Sequence, residues 1–416
     1  MTTGRTMFRL RSAKPLPLRH CRRPFTVSSI TRTTTANNEK RPEKTYQWMD
    51  GVESLEQYKP GGYYPANLAD EMHNQRYCIL HKLGFGSFST VWLAHDQDED
   101  RLVSLKLLRA DAPRATAESK ILQHLGTSHP GNPFFPSLLD EFVVESVNGS
   151  HHCLVTEALG PSIGAVIHES KDLHTGNLLF NMPGLENWTF EEVYQRFGGL
   201  DREEIIRIDG QPATPAAPKY AVRPPDPAAL IRYCLTETCT VRLVDFGEAC
   251  LPTAGELARE VNTAVRVASP EVLFKDAAAI GMPTDIWTLA CTLYEIFGDH
   301  MLLESFMANA DEIVVEMVRT LGKLPEPWWQ MWGVRSKYFE EDGTFKTTPN
   351  ASEERRIVDL KERVAKLIRG TDMTPDMELD EEESLVLVRM LGAMLRYEPS
   401  ERATASELVS LLPPKW

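Results

Sequence analysis

Between Tyr77 and Leu108 three strand-like runs surround a glycine loop, and the third run carries a lysine among apolar neighbours. Tyr77-Cys-Ile-Leu-His-Lys-Leu83 leads into Gly84-Phe85-Gly86, Thr90-Val-Trp-Leu-Ala94 leaves the loop, and Leu102-Val-Ser-Leu-Lys-Leu-Leu108 follows. Glycines at 84 and 86 let backbone amides close over phosphates, and Val91 is placed to cover an adenine ring. An unpaired ammonium in an apolar strand is costly, so Lys106 needs anionic company. Nucleotide phosphates would supply one partner and a helix carboxylate the other. Glu118, in Ala117-Glu-Ser-Lys-Ile-Leu122, is the candidate; the competing reading leaves both side chains in solvent. A helical stretch around 115–125 and strand candidates at 141–147 and 152–157 extend this unit. The rest of the chain is mainly helical in its apolar spacing. Strands with one helix, then a helix-rich remainder, predict an α+β chain with a small β-rich lobe on a larger α-helical lobe.

Four further groups carry chemistry. Asp172-Leu-His-Thr-Gly-Asn177 sets a carboxylate and an amide five residues apart. Asp172 suits the acceptance of a substrate hydroxyl proton, and the Asn177 amide oxygen suits Mg²⁺. Val244-Asp-Phe-Gly247 ends an apolar run on Asp245, a second oxygen ligand for Mg²⁺. Ser269-Pro-Glu271 and Asp285-Ile-Trp287 follow, and Arg402 is the expected bidentate partner of Glu271.

In this order, Gly84 and Gly86, Lys106, Glu118, Asp172 with Asn177, Asp245-Phe-Gly, Ser-Pro-Glu271, Asp285 and Arg402 resemble a eukaryotic protein kinase over roughly residues 76–416. Tyr58-Lys-Pro-Gly-Gly-Tyr-Tyr-Pro65 and Phe88-Ser-Thr-Val-Trp-Leu93 are similar to the SR-protein kinases in particular, as is a long insert before Asp245. The resemblance implies a bilobal kinase fold with ATP and Mg²⁺ as cofactors. It implies Ser/Thr phosphorylation of proteins, with Arg/Ser-rich substrates in view. It places Leu83, Gly84, Phe85, Gly86, Val91, Lys106 and Glu118 around the nucleotide, with hinge backbone groups from Glu157 and Leu159 and Thr156 as gatekeeper. Catalysis would fall to Asp172, Lys106, Asn177 and Asp245, the last two also holding the metal.

The pattern departs from that family at several points. Ser89 stands at the third glycine of the loop, Ser170-Lys171 replace the His-Arg before the catalytic Asp, and His174 replaces the lysine two places after it. Only 14 residues separate Glu157 from Asp172. Fourteen extended residues reach about 45 Å, enough to join hinge to loop, yet two helices do not fit. The apolar face of 287–297 is therefore expected to be partly uncovered. These departures define a second reading, an inactive kinase-derived binding module or truncated splice product. Asp-Leu-His-x-Gly-Asn also resembles the loop of small-molecule phosphotransferases, the third reading, against which Ser-Pro-Glu271 and Asp-Ile-Trp287 argue.

Charge and composition bound the remainder. Residues 1–38 hold eight Lys/Arg and no Asp or Glu, leaving 37 basic against 59 acidic side chains beyond them. The first segment reads as a mitochondrial presequence or a basic tail, so the expected compartment is intracellular, mitochondrial or else cytoplasmic or nuclear. The acidic body argues against direct nucleic-acid binding and suits basic protein partners. The apolar run 287–294 is too short for a membrane span. Seven scattered cysteines indicate neither a disulfide framework nor a zinc site. Residues 39–75 are an extension, 76–158 and 159–416 the two lobes. Prolines 212, 215, 218, 224, 225 and 227 mark an insert at about 181–240, expected to be largely irregular, with a short helix near 190–197. Asn148-Gly-Ser150 matches a glycosylation sequon and is read as a surface turn.

Overall fold

The structure, a computed structural model, describes residues 44–113, 115–167, 174–236, 240–250, 263–298, 300–305, 309–346, 358–367 and 379–413. The basic segment 1–38 and Asp172 lie outside these residues.

The first lobe is built by β1 (Glu71–Met72), β2 (Tyr77–Phe85), β3 (Ser89–Asp96), β4 (Arg101–Leu108), α1 (Ala117–Ser128), β5 (Leu138–Ser146) and β6 (Gly149–Glu157). The strands form an antiparallel six-stranded sheet in the order β1-β2-β3-β4-β6-β5. Period-two alternation aims Tyr77, Ile79, Trp92, Ala94, Val103, Leu105, Leu107, Cys153 and Val155 into one buried cluster. Lys106 therefore faces the other way, opposite Val91 on β3 and Leu154 on β6.

Past the hinge come α2 (Gly164–Ile167), a 3-10 turn (His174–Asn177), β7 (Leu178–Phe180), α3 (Phe190–Phe197), β8 (Arg202–Glu204), β9 (Tyr220–Val222), α4 (Pro227–Thr236) and β10 (Val241–Leu243). The insert thus contains more regular structure than its prolines suggested. A capping box of Thr189 and Glu192 starts α3, and β8 pairs with β9. Leu185, Trp188, Val193, Phe197, Leu230 and Cys234 pack with Leu80, Leu93 and Leu102 of the sheet. Proline is compatible with this because the buried residues flank the proline cluster on both sides, and Pro227 starts α4, where its missing N–H costs nothing. α4 also touches α2, so the insert supports the shortened connection between hinge and loop.

The second lobe holds α5 (Pro270–Leu273), α6 (Met282–Phe297), α7 (Ala310–Leu321), α8 (Glu326–Met331), α9 (Leu360–Leu367), α10 (Glu381–Met394) and α11 (Ala405–Leu411). Trp287, Ala290, Cys291 and Tyr294 of α6 are buried against Ile313, Met317, Val364, Leu387 and Leu391. The expected uncovered face is narrower than the run 287–297: within it Leu289 is 40% exposed, while the other side chains are buried or half-buried. Arg402 clasps Glu271 through two bonds of 2.7 and 2.8 Å, both side chains fully buried. Thr284 donates to Glu271, and Arg402 also donates to the carbonyls of Pro283, Arg396 and Tyr397. Such complete pairing is what makes a buried ion pair tolerable. No helix among the described residues is long and apolar enough to cross a membrane.

Candidate active site

Lys106 leaves the polar face of β4 and meets two carboxylates. Its Nζ donates to Glu118 Oε2 at 2.6 Å and to Asp245 Oδ1 at 2.7 Å. Glu118 comes from the first turn of α1, where a carboxylate is favoured by the helix dipole. Its other oxygen accepts the N–H of Phe246 at 3.2 Å, so one side chain ties α1 to β4 and to the segment after β10. Burial lowers the Lys106 pKa, yet the two carboxylates outweigh it and the net shift is upward. For Asp245, burial raises the pKa and Lys106 overrides it, holding the carboxyl below its ordinary value. The solvent-exposed reading of Lys106 and Glu118 fails: Glu118 is buried and both are paired.

A two-stranded ribbon brings Asn177 and Asp245 together. β7 pairs with β10, Leu178 opposite Leu243, and the Val244 N–H donates to the Asn177 carbonyl at 2.9 Å. Asn177 therefore ends the turn before β7, beside the residue that precedes Asp245. Asp245 has φ +64°, a left-handed conformation uncommon outside glycine. The turn itself is wedged. Thr175 is fully buried, and a Cβ on Gly164 would meet Thr175 Oγ1 at 2.8 Å and Gly176 N at 3.1 Å. Gly164 thus allows α2 to press on the turn, and α6 contacts it too. Asp285 lies in the first turn of α6 and is exposed.

The glycine loop closes β2 onto β3, with Gly84 opposite Val91 and Phe85 opposite Thr90. A Cβ at Gly84 or Gly86 would meet nothing within 4 Å, so the backbone there faces open space. Leu83, Phe85 and Val91 are half-buried. At the hinge, Glu157 ends β6 opposite Val103, and its carboxylate accepts Arg242 Nη1 and the Ser137 N–H. Leu159 is buried, and the Gly160 N–H donates to the Phe180 carbonyl at 2.8 Å. Thr156 Oγ1 lies 3.4 Å from the Glu157 carbonyl.

Sequence reasoning missed three side chains. Arg242 engages the hinge, and its only signal was a basic residue beside the apolar run before Asp245. Tyr63 donates to the Gly86 carbonyl at 2.7 Å, although the segment holding it was singled out. Asn148 is 2% exposed, and its amide nitrogen donates to the carbonyls of Tyr63 and Ala216. Asn148 does sit in the exposed turn between β5 and β6, with Val147 and Ser150 facing solvent, but its own side chain is buried in this tie.

A family model, protein kinase domain, matches residues 233–411. A serine/threonine protein kinase of Aspergillus fumigatus is 26% identical over 388 residues, covering 86% of this chain and 89% of that protein. The serine/threonine-protein kinase SRPK of Physarum polycephalum is 26% identical over 404 residues, 85% of this chain and 89% of its own. The protein kinase dsk1 of Schizosaccharomyces pombe is 43% identical over 121 residues, 28% of this chain and 22% of its length. A solved kinase domain shares the fold at a TM-score of 0.52 and 16% identity, covering 83% of this chain and 97% of that one.

Proposed function

We propose that this chain, a member of the protein kinases and a serine/threonine kinase like its relatives, phosphorylates Arg/Ser-rich proteins with Lys106, Asp172, Asn177 and Asp245 as its working residues. Its protein-kinase architecture is bilobal, and protein kinases in general use ATP and Mg²⁺. The single observation that carries the residue assignment is the Lys106 ammonium shared between Glu118 and Asp245. The binding-module and small-molecule readings are not favoured beside these relatives.

The residues fit the cofactor. An Asp245 carboxylate and an Asn177 amide on one ribbon are hard oxygen donors suited to Mg²⁺. Open backbone at Gly84 and Gly86 suits phosphate oxygens, and Leu83, Phe85 and Val91 offer apolar surface to the base. Glu157 and Leu159 supply hinge backbone groups. When bound, Mg-ATP provides the transferable phosphoryl group, and catalysis by the protein is then positioning and charge stabilisation. Lys106 orients the phosphates, while Glu118 fixes the lysine from behind. Asp172 orients the acceptor hydroxyl and takes its proton. Asn177 and Asp245 would hold the Mg²⁺, which would neutralise phosphate charge.

The acidic body, 37 basic against 59 acidic side chains beyond residue 38, supports a basic protein substrate. The SR-protein kinase relatives support the same choice. We also propose mitochondrial import, on the basic, acid-free character of residues 1–38. The substrate assignment is tested by comparing an Arg/Ser-repeat peptide with its Lys/Ser counterpart and with amino-alcohol metabolites as acceptors. Preference for the Arg/Ser peptide is expected; preference for a metabolite would overturn it.

A further inference from the structure

The segment before the sheet reaches the glycine loop from outside and grips it at two places. It begins on the insert: the Gln47 N–H donates to the Ile206 carbonyl, the Ile208 N–H to that of Thr45, and the Tyr46 and Thr214 hydroxyls are 2.9 Å apart. Farther along, Glu53 pairs with Lys82, the strand residue just before the loop, and also accepts from the Tyr58 hydroxyl. Glu53 and Lys82 are both buried, and the Lys82 ammonium stands 5.4 Å from the Phe85 ring and 5.3 Å from that of Trp92.

The chain then turns at Gly61-Gly62. Gly61 has φ +85°, and a Cβ on Gly62 would fall 1.7 Å from the Gln57 carbonyl oxygen, so only glycine fits. Backbone bonds lock this turn to the sheet: Gly61 N–H to Asn148, Ala110 N–H to Gly62 and Asp111 N–H to Gly61. The next residue is Tyr63. Its hydroxyl donates to the Gly86 carbonyl at 2.7 Å and approaches that of Ser87 at 3.3 Å. Arg109 lies over the Tyr63 ring at 5.6 Å and donates to the same Ser87 carbonyl at 3.2 Å.

A trans peptide unit points its C=O and its N–H in opposite directions. Pinning the Gly86 carbonyl toward Tyr63 therefore turns the Ser87 N–H away from it. Pinning the Ser87 carbonyl does the same for the Phe88 N–H. Two successive amides then face the same way, the arrangement that receives anionic oxygens.

We propose that Tyr63 is a positioning residue for nucleotide binding, its hydroxyl fixing the Gly86–Ser87 peptide so that the loop amides face the phosphates. The inference rests on the reading that this loop covers ATP. Burial, partly offset by the charge of Arg109, pushes the Tyr63 hydroxyl up to about 12, so it remains a donor throughout the neutral range. Tyr63 is 3% exposed and touches no part of the Lys106 cluster in the hydrogen bonds it makes.

The test uses the full chain with Tyr63→Phe, and Tyr46→Phe as a control that removes a hydroxyl from the same segment at its far end. Direct titration with ATP and Mg²⁺, KM for ATP, KM for an Arg/Ser peptide and the thermal midpoint are read for each. Tyr63→Phe is expected to weaken ATP binding and raise its KM about fivefold, the value of one neutral hydrogen bond. Peptide KM stays unchanged, the two variants lower the thermal midpoint by the same small amount, and Tyr46→Phe leaves ATP binding and both KM values at the level of the unmodified chain. An ATP KM for Tyr63→Phe equal to that of the unmodified chain would overturn the inference while leaving the kinase reading intact. So would a rise in both KM values together with a midpoint below that of Tyr46→Phe, which marks a purely structural role. Failure of the unmodified chain to bind ATP would instead overturn the kinase reading, and this inference with it.

Discussion

Lys106 Nζ and Asp245 Oδ1 stand 2.7 Å apart although they are 139 positions apart in the chain. The same ammonium is 2.6 Å from Glu118, so one cation holds together the sheet, α1 and the segment after β10. The contact joins β4 to the segment between β10 and α5.

Lys106→Met removes that cation while keeping much of the side-chain volume. Activity should fall about 10²–10³-fold, the scale of losing one charge-stabilising group at the reaction centre. Circular dichroism should be unchanged, because the apolar face of β4 is untouched. Steady-state phosphorylation by the purified variant checks this. Activity within a few-fold of the unmodified chain would remove Lys106 from the site.

The Glu271–Arg402 pair supports the second lobe from beneath. Arg402→Ala leaves a buried carboxylate without its partner and should cost about 3–5 kcal/mol in urea denaturation. Replacing both residues with Leu and Met should cost clearly less than Arg402→Ala alone, since no charge is then stranded. Equal losses would show that packing, rather than the unpaired charge, sets the penalty.

Gly62→Ala puts a methyl group where the Gln57 carbonyl oxygen already sits, 1.7 Å away. Backbone must move to accept it. A loss of about 2–4 kcal/mol is expected, large for the smallest possible addition to a glycine. Gly84→Ala, with open space around its Cβ, should leave the thermal midpoint close to its original value.

Glu295 supplies a pH signature. It is 2% exposed in α6, and burial lifts its pKa from 4.5 to about 7. A carboxyl raised on folding stabilises the protein fully below its unfolded pKa, and this contribution is lost as pH rises through the folded pKa. Stability should therefore decline between about pH 4.5 and 7 on account of this group. Glu295→Gln cannot ionise, so its advantage over the unmodified chain should grow by about 1–3 kcal/mol from pH 5 to 8. Thermal melts of both proteins across that range provide the check, and parallel profiles would contradict the assignment.

The strands around the glycine loop and Lys106 with Glu118 were legible from local pattern, whereas Glu271 with Arg402, 131 residues apart, was legible only from the order of the motifs. Apolar alternation marks the strands, and a buried charge demands a partner. The insert was not legible in the same way. Its prolines signal interruption, yet Leu185, Trp188, Val193, Leu230 and Cys234 become core only through contacts with distant strands. The shortened link from hinge to loop looked like lost packing, because no local pattern shows that α4 meets α2. The turn at Asn148 was legible, but the burial of its side chain was not, for the same reason: the carbonyls of Tyr63 and Ala216 that bury it lie 85 and 68 residues away.

The most direct measurement is Mg-ATP-dependent phosphorylation of an Arg/Ser-repeat peptide by the full chain, beside Lys106→Met and Asp172→Asn. Incorporation on serine by the unmodified protein, lost in both variants, is the predicted result. A folded, monodisperse sample that transfers no phosphate, or variants that match it, would contradict the assignment of these residues to a working kinase site.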